Sequence, residues 1–145
     1  MFHIDSVDQE DKVIDSVSYR KFKIKIGDFE ECFLSPLCYW SVEDYQLHWR
    51  KMLHDFMKGN KESAFLITEM YDPAKANFIR WWVLYRKGDN VSFQEKILFM
   101  EGVEKFSVDS AASLIPKHQL INDDGNEISE WVLPIDQFKL SPLLN

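Results

Sequence analysis

The chain has 145 residues, 46% of them hydrophobic and 28% charged, which indicates a folded protein and excludes global disorder. Its 24 acidic residues outnumber its 17 basic ones, and the formal net charge of −7 disfavours direct nucleic-acid binding, because such binders present a basic face to phosphates. Two cysteines are too few for a disulfide scaffold, and the acidic first residues and the lack of an apolar run of about 18 residues predict a cytoplasmic protein without a membrane span.

The first 16 residues are polar and acidic, and Lys12 is their only lysine or arginine. They carry five carboxylates, on Asp5, Asp8, Glu10, Asp11 and Asp15. Chain ends of this composition are often held only weakly by the rest of a domain. We therefore expect residues 1–16 to form a loose acidic arm on a single domain that spans residues 1–145.

A hairpin is predicted next by alternating side chains. Lys21, Lys23 and Lys25 fall on one face of a strand and apolar residues on the other, a pattern typical of a half-buried strand. A Gly-Asp pair at 27–28 gives the turn, and the alternation resumes over 29–34. Glu30 and Glu31 of the second strand are then placed to pair with the lysines, which we interpret as a solvated face.

The following stretch predicts a helix of about four turns. Ser41 is the expected N-cap, and Glu43 and Asp44 fall in the first turn, where the helix dipole favours negative charge. Apolar residues at spacings of three and four define one buried stripe, which consists of Val42, Tyr45, Trp49, Met52, Leu53 and Phe56. The pair Gly59-Asn60 predicts a left-handed end of this helix.

Three strands are predicted at 63–71, 77–86 and 91–100, separated by turn residues. The middle strand is apolar on both faces, which indicates a central position with antiparallel neighbours. A short helix at 111–115, a strand at 127–133 and a short C-terminal helix after Pro134 follow. This order of elements predicts an α+β fold with an antiparallel sheet and two or three helices.

No motif in the chain indicates catalysis or cofactor binding. The glycines stand singly, no serine lies in a nucleophile elbow, and His48 and His54 lack the spacing of the two-histidine zinc motif. We interpret these two histidines as a surface pair, His118 as a residue without a partner, and Cys32 and Cys38 as inert core residues. The protein is therefore predicted not to be an enzyme, with no catalytic, cofactor-binding or metal-binding residue.

Two carboxylates and a tryptophan pair receive structural interpretations. Glu69 ends an apolar strand and Glu130 stands beside a tryptophan, so both are expected to be partly buried and hydrogen-bonded to Trp, Tyr or Arg80. Trp81 and Trp82 are neighbours on a strand and so point to opposite faces. They are expected to pack in the core rather than to form one platform for stacking a ligand.

Five segments of the chain resemble a family of bacterial immunity proteins from contact-dependent growth inhibition systems. They are residues 38–45 (CYWSVEDY), 69–73 (EMYDP), 77–79 (NFI), 82–85 (WVLY) and 125–131 (GNEISEW). The likeness runs from about residue 37 to residue 131, with the same order and similar spacing, whereas the first 35 residues match poorly. None of the segments is catalytic, so the resemblance depends on their order and spacing together.

The resemblance implies a cytoplasmic antitoxin whose twisted antiparallel sheet is similar to the Whirly fold. Its implied partner is the C-terminal domain of a toxin delivered by a neighbouring cell, and in a relative that toxin resembles a ribosome-inactivating nuclease. An acidic protein is the electrostatic complement of a cationic, RNA-cleaving nuclease. The candidate toxin contacts are therefore acids outside the predicted core: Glu30, Glu31, Glu43, Asp44, Asp123, Asp124 and Glu127. Roles in capping and turns account equally well for Asp44 and Asp123.

Two alternatives from other functional classes remain open at this point. One is a small enzyme or ligand-binding protein whose aromatic pocket is framed by Trp40, Trp49 and Trp131. The other is a nucleic-acid binder of the Whirly type that uses the lysines at 21, 23 and 25. The lack of catalytic motifs disfavours the first alternative, and the net charge disfavours the second.

Overall fold

The computed structural model describes residues 1–59 and 61–144 and has two antiparallel sheets with helices packed around them. The first sheet contains β1 (Phe2–Ile14), β2 (Val17–Ile26) and β3 (Phe29–Pro36), in that order. The helix α1 (Val42–Lys58) leads to the second sheet, which contains β4 (Ser63–Glu69), β5 (Phe78–Lys87), β6 (Asn90–Phe99) and β7 (Trp131–Pro134). A short helix α2 (Ile135–Phe138) and two 3-10 helices, Ala111–Leu114 and Pro142–Leu144, complete the described elements. The predicted α+β class is confirmed.

The strands form two sheets, whereas the sequence pattern had predicted a single sheet. The two sheets meet where β3 ends. At this point the Ser35 hydroxyl donates a hydrogen bond to the carbonyl of Thr68 on β4. The apolar faces turn toward each other, and Phe2 of β1 stacks on Phe93 of β6 with 5.2 Å between ring centroids. Periodicity within a strand reports which residues are buried, but it does not report which strands exchange hydrogen bonds, so the division was missed.

The predicted central strand of the second sheet is confirmed. β5 lies between β4 and β6, and the strand order is β4-β5-β6-β7. Trp81 and Trp82 point to opposite faces of β5, and each is only 1% exposed. Trp81 packs on Phe65 of β4, whereas Trp82 packs on Phe29 and Trp131. Both tryptophans are therefore core residues, as predicted.

The expectation of a loose arm over residues 1–16 is wrong. Residues 2–6 pair with β2, Phe2 and Ile4 are fully buried, and the pairing resumes at Asp11 after an irregular stretch. The turn that follows uses positive φ angles at Asp15 and Ser16. Asp8, Glu10, Asp11 and Asp15 are exposed and Asp5 is half-buried. β1 is an edge strand, and charge on an edge strand discourages pairing with other chains. Two buried side chains were too few for the period-two pattern to be recognised.

The helix α1 begins as predicted and ends differently. Ser41 caps its N-terminus. At the other end, the Gly59 N–H donates to the Asp55 carbonyl at 2.8 Å with φ of −79°, so Gly59 is right-handed rather than left-handed. Asn60, the other residue of the predicted stop, lies outside the described residues. Among the helices of residues 1–59 and 61–144, none is long and apolar enough to cross a membrane.

The apolar face of α1 packs against β4 and is held by side-chain hydrogen bonds to strand backbones. Tyr45, Trp49, Leu53 and Phe56 of the predicted stripe are buried. The Trp49 indole donates to the Ile67 carbonyl at 2.8 Å. The Tyr45 hydroxyl donates to the Pro36 carbonyl at 2.8 Å and accepts from the Met70 N–H at 3.0 Å. Because these atoms have partners, the helix is fixed in position as well as buried.

Candidate functional site

A polar groove of about 550 Å³ separates β1 from the start of α1. Asp5, Asp11 and Glu43 are among the residues that line it, together with Arg20 and Gln46. Arg20 Nη2 lies 2.8 Å from Asp11 Oδ1, and the Gln46 amide donates to Asp5 at 3.1 Å. Glu43 makes no ion pair or side-chain hydrogen bond to any described residue. The groove therefore presents more negative than positive charge to solvent.

The neighbouring candidate, Asp44, is occupied by the helix cap. The Asp44 N–H donates to Ser41 Oγ at 3.1 Å, and the Ser41 N–H donates to Asp44 Oδ2 at 2.9 Å. This reciprocal pair is a capping box, and it satisfies two backbone donors at the start of α1. Of the two candidate acids in the first turn, Glu43 is the one whose carboxylate is free to meet a partner.

Glu30 and Glu31 lie on opposite faces of β3. Glu30 is on the outer face, with its carboxylate 3.3 Å from Lys25 Nζ and 3.8 Å from Lys23 Nζ, so the predicted cross-strand ion pairs are confirmed for Glu30. Glu31 stands opposite Ile24 in the register and is half-buried. Two of the three lysines in the basic strip thus share the single charge of Glu30, and Glu31 faces the second sheet.

The second sheet has an open end, which consists of Phe78, Arg80, Glu95, Ile97 and Phe99. Arg80 Nε donates to Glu69 at 3.1 Å, and the Tyr71 hydroxyl donates to the same carboxylate at 3.0 Å. These bonds confirm the structural interpretation of Glu69. Glu95 makes no ion pair or side-chain hydrogen bond in the described part of the chain. Its pKa is raised by partial burial and, secondarily, by the neighbouring Glu31 carboxylate.

Asp123, Asp124 and Glu127 lie on an exposed turn. The turn is held by Asn122, whose side-chain oxygen accepts the N–H groups of Asp124 at 3.0 Å and Asn126 at 2.9 Å. None of the three carboxylates has an ion-pair or side-chain hydrogen-bond partner among the described residues. The turn therefore does not depend on these carboxylates, which are free to act on a partner.

The seven candidate acids thus occupy three places, namely β3, the start of α1 and the turn at 122–127. No hydrogen bond joins a candidate acid in one place to a candidate acid in another within residues 1–59 and 61–144. The sequence analysis placed Asp5 and Asp11 in an acidic arm rather than beside α1, and it did not single out Glu95. A signal for Glu95 did exist, because it interrupts an apolar row at alternate positions of β6, from Phe93 to Phe99.

The three tryptophans of the aromatic-pocket alternative do not frame a shared opening. Trp49 has no exposed surface, so it cannot line a pocket that a ligand enters. Trp40 packs edge-on against Tyr45, with 5.1 Å between ring centroids. Trp131 packs on Phe29 instead, at 4.2 Å. All three side chains therefore contribute to packing, and this alternative loses the feature that motivated it.

His48 was expected at the surface and is instead buried, 7% exposed, which corrects that interpretation. Its Nε2 accepts the Ile67 N–H at 2.9 Å, so the neutral ring carries its proton on Nδ1. Burial lowers the pKa of His48 to about 3. The prediction of a surface position was wrong because His48 stands one residue before Trp49, on the side of α1 that faces β4. His54, on the same helix, is only half-buried.

Three further expectations about reactive side chains are corrected. Cys32 and Cys38 are exposed and free rather than core residues, because Cys32 stands opposite Lys23 on the outer face of the hairpin and Cys38 lies in the loop before α1. His118 does have a partner, since its Nε2 hydrogen-bonds Glu130, which also accepts from Gln94 at 3.0 Å. Within residues 1–59 and 61–144 there is no cluster of three or more potential metal ligands.

Comparisons of the sequence and the structure with known proteins identify relatives of this chain. A family model described as the CdiI N-terminal domain matches residues 35–140. Over 108 residues, 74% of each chain, the protein is 38% identical to the Immunity protein CdiI of Enterobacter cloacae subsp. cloacae. A solved chain described as "CdiA-CT/CdiI toxin and immunity complex from Enterobacter cloacae" is 34% identical with a TM-score of 0.86, and the match covers 94% of this chain and 92% of that one. The chain therefore belongs to the CdiI family of immunity proteins of contact-dependent growth inhibition systems.

Proposed function

We propose that this protein binds the C-terminal toxin domain of a CdiA protein in the cytoplasm and neutralises it without catalysis of its own. The observation that carries the proposal is the likeness, over 94% of the chain, to a chain of a solved CdiA-CT/CdiI complex. Neutralisation by binding requires shape and charge complementarity but no reactive groups. Such a role agrees with the sequence, in which no nucleophile–base or metal motif is recognisable.

We further propose that the toxin domain is a nuclease that cleaves RNA, on the ribosome or free. A nuclease is cationic where it holds the phosphate backbone. This chain carries a net charge of −7 and has carboxylates without partners in the groove, at the turn and beside the open end of the second sheet. Opposite fields of this kind accelerate association, most strongly at low salt.

The seven candidate acids remain our proposed toxin contacts, and the structure supports them unequally. Glu31, Glu43, Asp123, Asp124 and Glu127 have no ion-pair partner in the described part of the chain, so a toxin would meet their full charge. Glu30 already shares its charge with two lysines, and Asp44 serves the helix cap. We expect the first five to influence binding more than these two.

Co-expression tests the function directly. Cells that produce the cognate CdiA C-terminal domain should stop growing, and growth should resume when this chain is co-expressed. The purified proteins should form a stable complex, and total RNA treated with the toxin domain should remain intact when the chain is added. A toxin domain from an unrelated CdiA protein is the control that the chain should not neutralise. Growth arrest that persists despite abundant folded protein would refute the immunity role.

The RNA assay also tests the immunity role and the nuclease assignment separately. If the chain protects cells while the toxin domain leaves RNA intact, the immunity role holds and the nuclease assignment is wrong. Incubating the chain alone with ester, peptide, phosphate and nucleic-acid substrates tests its proposed lack of activity. Reproducible turnover that disappears on a single His, Cys or Glu substitution would show that it is an enzyme.

A further inference from the structure

One face of the second sheet changes from core to solvent along β6. Phe93 is fully buried under Phe2 and Phe138, whereas Ile97 is 43% exposed and Phe99 is 68% exposed. These residues share a face with Glu95 because alternate side chains of a strand point the same way. Phe78 stands directly opposite Phe99 on β5 and extends the surface. The open end is therefore a sheet face on which the apolar side chains of Ile97 and Phe99 are exposed beside the half-buried Phe78, Arg80 and Glu95.

The backbone of β6 is also unpaired on one side at this end. β5 pairs with β6 from Lys87↔Asn90 to Phe78↔Phe99, but β7 pairs only with Asn90–Phe93. From residue 94 to residue 99 the other edge has no strand partner among residues 1–59 and 61–144. A strand edge beside exposed apolar side chains offers both hydrogen-bonding groups and contact area to another chain.

The charges around the open end are unbalanced. Arg80 is shared with Glu69, while Glu95 and Glu31 have no cationic partner in the described part of the chain. Burial raises the pKa of Glu95 most and the Glu31 carboxylate raises it further, while Arg80, whose ion pair is with Glu69, offsets only part of this shift. A second copy of this chain would bring the same surplus of carboxylates and would be repelled. A partner with a basic side chain removes the imbalance.

We propose that the open end of the second sheet is the docking surface for the toxin domain, and that it receives a lysine or arginine side chain surrounded by apolar contacts. This inference rests on the function proposed above. Ile97 and Phe99 supply area that an aliphatic stem covers, and Glu95 with Glu31 supplies the charge that the cationic head meets. A pair of this kind, partly removed from water, fixes the orientation of the two proteins.

Binding of the purified cognate toxin domain, measured by titration calorimetry, tests the surface with four variants. Phe99→Ala and Glu95→Gln should each raise Kd by about tenfold or more, as expected for residues at the centre of an interface. The matched controls are Leu47→Ala, which removes a 65% exposed side chain from α1, and Glu62→Gln, which removes an exposed carboxylate before β4. Both controls should leave Kd within about twofold of the wild-type value.

The results of these binding measurements distinguish an error in the docking surface from an error in the proposed immunity role. If the wild-type chain binds the toxin domain and both Phe99→Ala and Glu95→Gln bind equally well, docking occurs elsewhere and the immunity role is unaffected. If the wild-type chain does not bind, the proposed function fails and this inference fails with it. Circular dichroism melting verifies the fold of each variant. Glu95→Gln keeps its side-chain size and removes a like-charge contact, so it decides the question even if Phe99→Ala is unstable.

Discussion

Polar side-chain atoms differ in their hydrogen bonding between two regions of the molecule. One region is the contact between α1 and β4, and the other is the open end of the second sheet. At the first, the Tyr45 hydroxyl, His48 Nε2 and Trp49 Nε1 each meet a backbone group of a strand or its flank. At the second, the carboxylate of Glu95 is half-buried and has no ion-pair or hydrogen-bond partner among the described residues, and the ring of Phe99 is 68% exposed. Both regions combine aromatic rings with polar groups. In the first region these three atoms are paired within the chain and His48 Nδ1 is buried without a partner among the described residues, whereas in the second region the charged group itself is unpaired.

This difference distinguishes aromatic residues that stabilise the fold from those available to a partner. A buried polar atom that already has its hydrogen bond gains nothing from a second protein, and removing it costs folding free energy. A half-buried charge without a partner costs folding free energy as the chain stands, and a complementary partner recovers part of that cost. Substitutions at the α1–β4 contact should therefore change stability, and substitutions at the open end should change binding.

Trp49→Ala should have the largest effect on stability. The side chain is fully buried and its indole donates to the Ile67 carbonyl, so its loss should lower the free energy of unfolding by about 3–5 kcal/mol. Urea unfolding followed by circular dichroism measures the change. Leu47→Ala on the exposed face of α1 is the control and should cost under about 0.5 kcal/mol. A loss below 1 kcal/mol for Trp49→Ala, on the order of a surface substitution, would contradict the assigned role of the α1–β4 contact.

His48 should make stability depend on pH. Below its ordinary pKa of 6.5 the unfolded chain binds a proton at this side chain, while the folded protein, with a pKa of about 3, does not. The unfolded state then binds more protons, so stability falls as pH falls through this window. Between pH 7.5 and pH 5 the loss from His48 should reach about 2 kcal/mol.

Unfolding by urea at several pH values between 7.5 and 5 measures this dependence. His48→Gln keeps an acceptor for the Ile67 N–H but does not titrate, so its stability should fall less steeply with pH than that of the wild type. His54→Gln, on the same helix but half-buried, is the control for the histidine-to-glutamine change itself. Equal slopes for all three proteins would mean that His48 is solvated.

The sequence predicted the elements better than it predicted their assembly. The cap at Ser41, the central strand and the paired lysines of the hairpin follow from local patterns, which depend on neighbours in the chain. The division into two sheets, the burial of Phe2 and the burial of His48 depend on contacts distant in sequence, which no periodicity reports. The open end was missed for the same reason, because Glu31 and Glu95 lie on different sheets.

Ser41→Ala should have a smaller effect than Trp49→Ala, again on stability alone. Loss of the hydroxyl leaves the Asp44 N–H without its acceptor and should cost about 1 kcal/mol, whereas Ser41→Asn should restore most of it because asparagine also caps helices. Urea unfolding measures both variants. Toxin binding by Ser41→Ala should remain within about twofold of the wild type. A larger loss of affinity would mean that the capping box itself, and not only the free carboxylate of Glu43, contacts the toxin domain, and it would weaken the distinction between the two regions.

Substitutions in the turn at 122–127 should have the smallest effect of these changes, and they should alter the rate of association with the toxin domain. Asp123, Asp124 and Glu127 are exposed, and reversing all three to lysine should slow association with a cationic toxin domain several-fold and flatten its dependence on salt. Dissociation should change little if the open end provides the main contacts, because the contact surface sets the dissociation rate. Stopped-flow binding at low and high salt measures both rates.

The free triple variant should melt at the wild-type temperature, since Asn122 rather than the three acids holds the turn and exposed charges contribute little to stability. A matched triple reversal of Asp8, Glu10 and Asp15, exposed acids on and beside β1, tests whether any loss of negative charge has the same effect. Equal slowing by the two triple variants would mean that net charge alone steers the toxin domain. Faster dissociation of the first variant would mean that the three acids also make close contacts that stabilise the bound state, in addition to those of the open end of the second sheet.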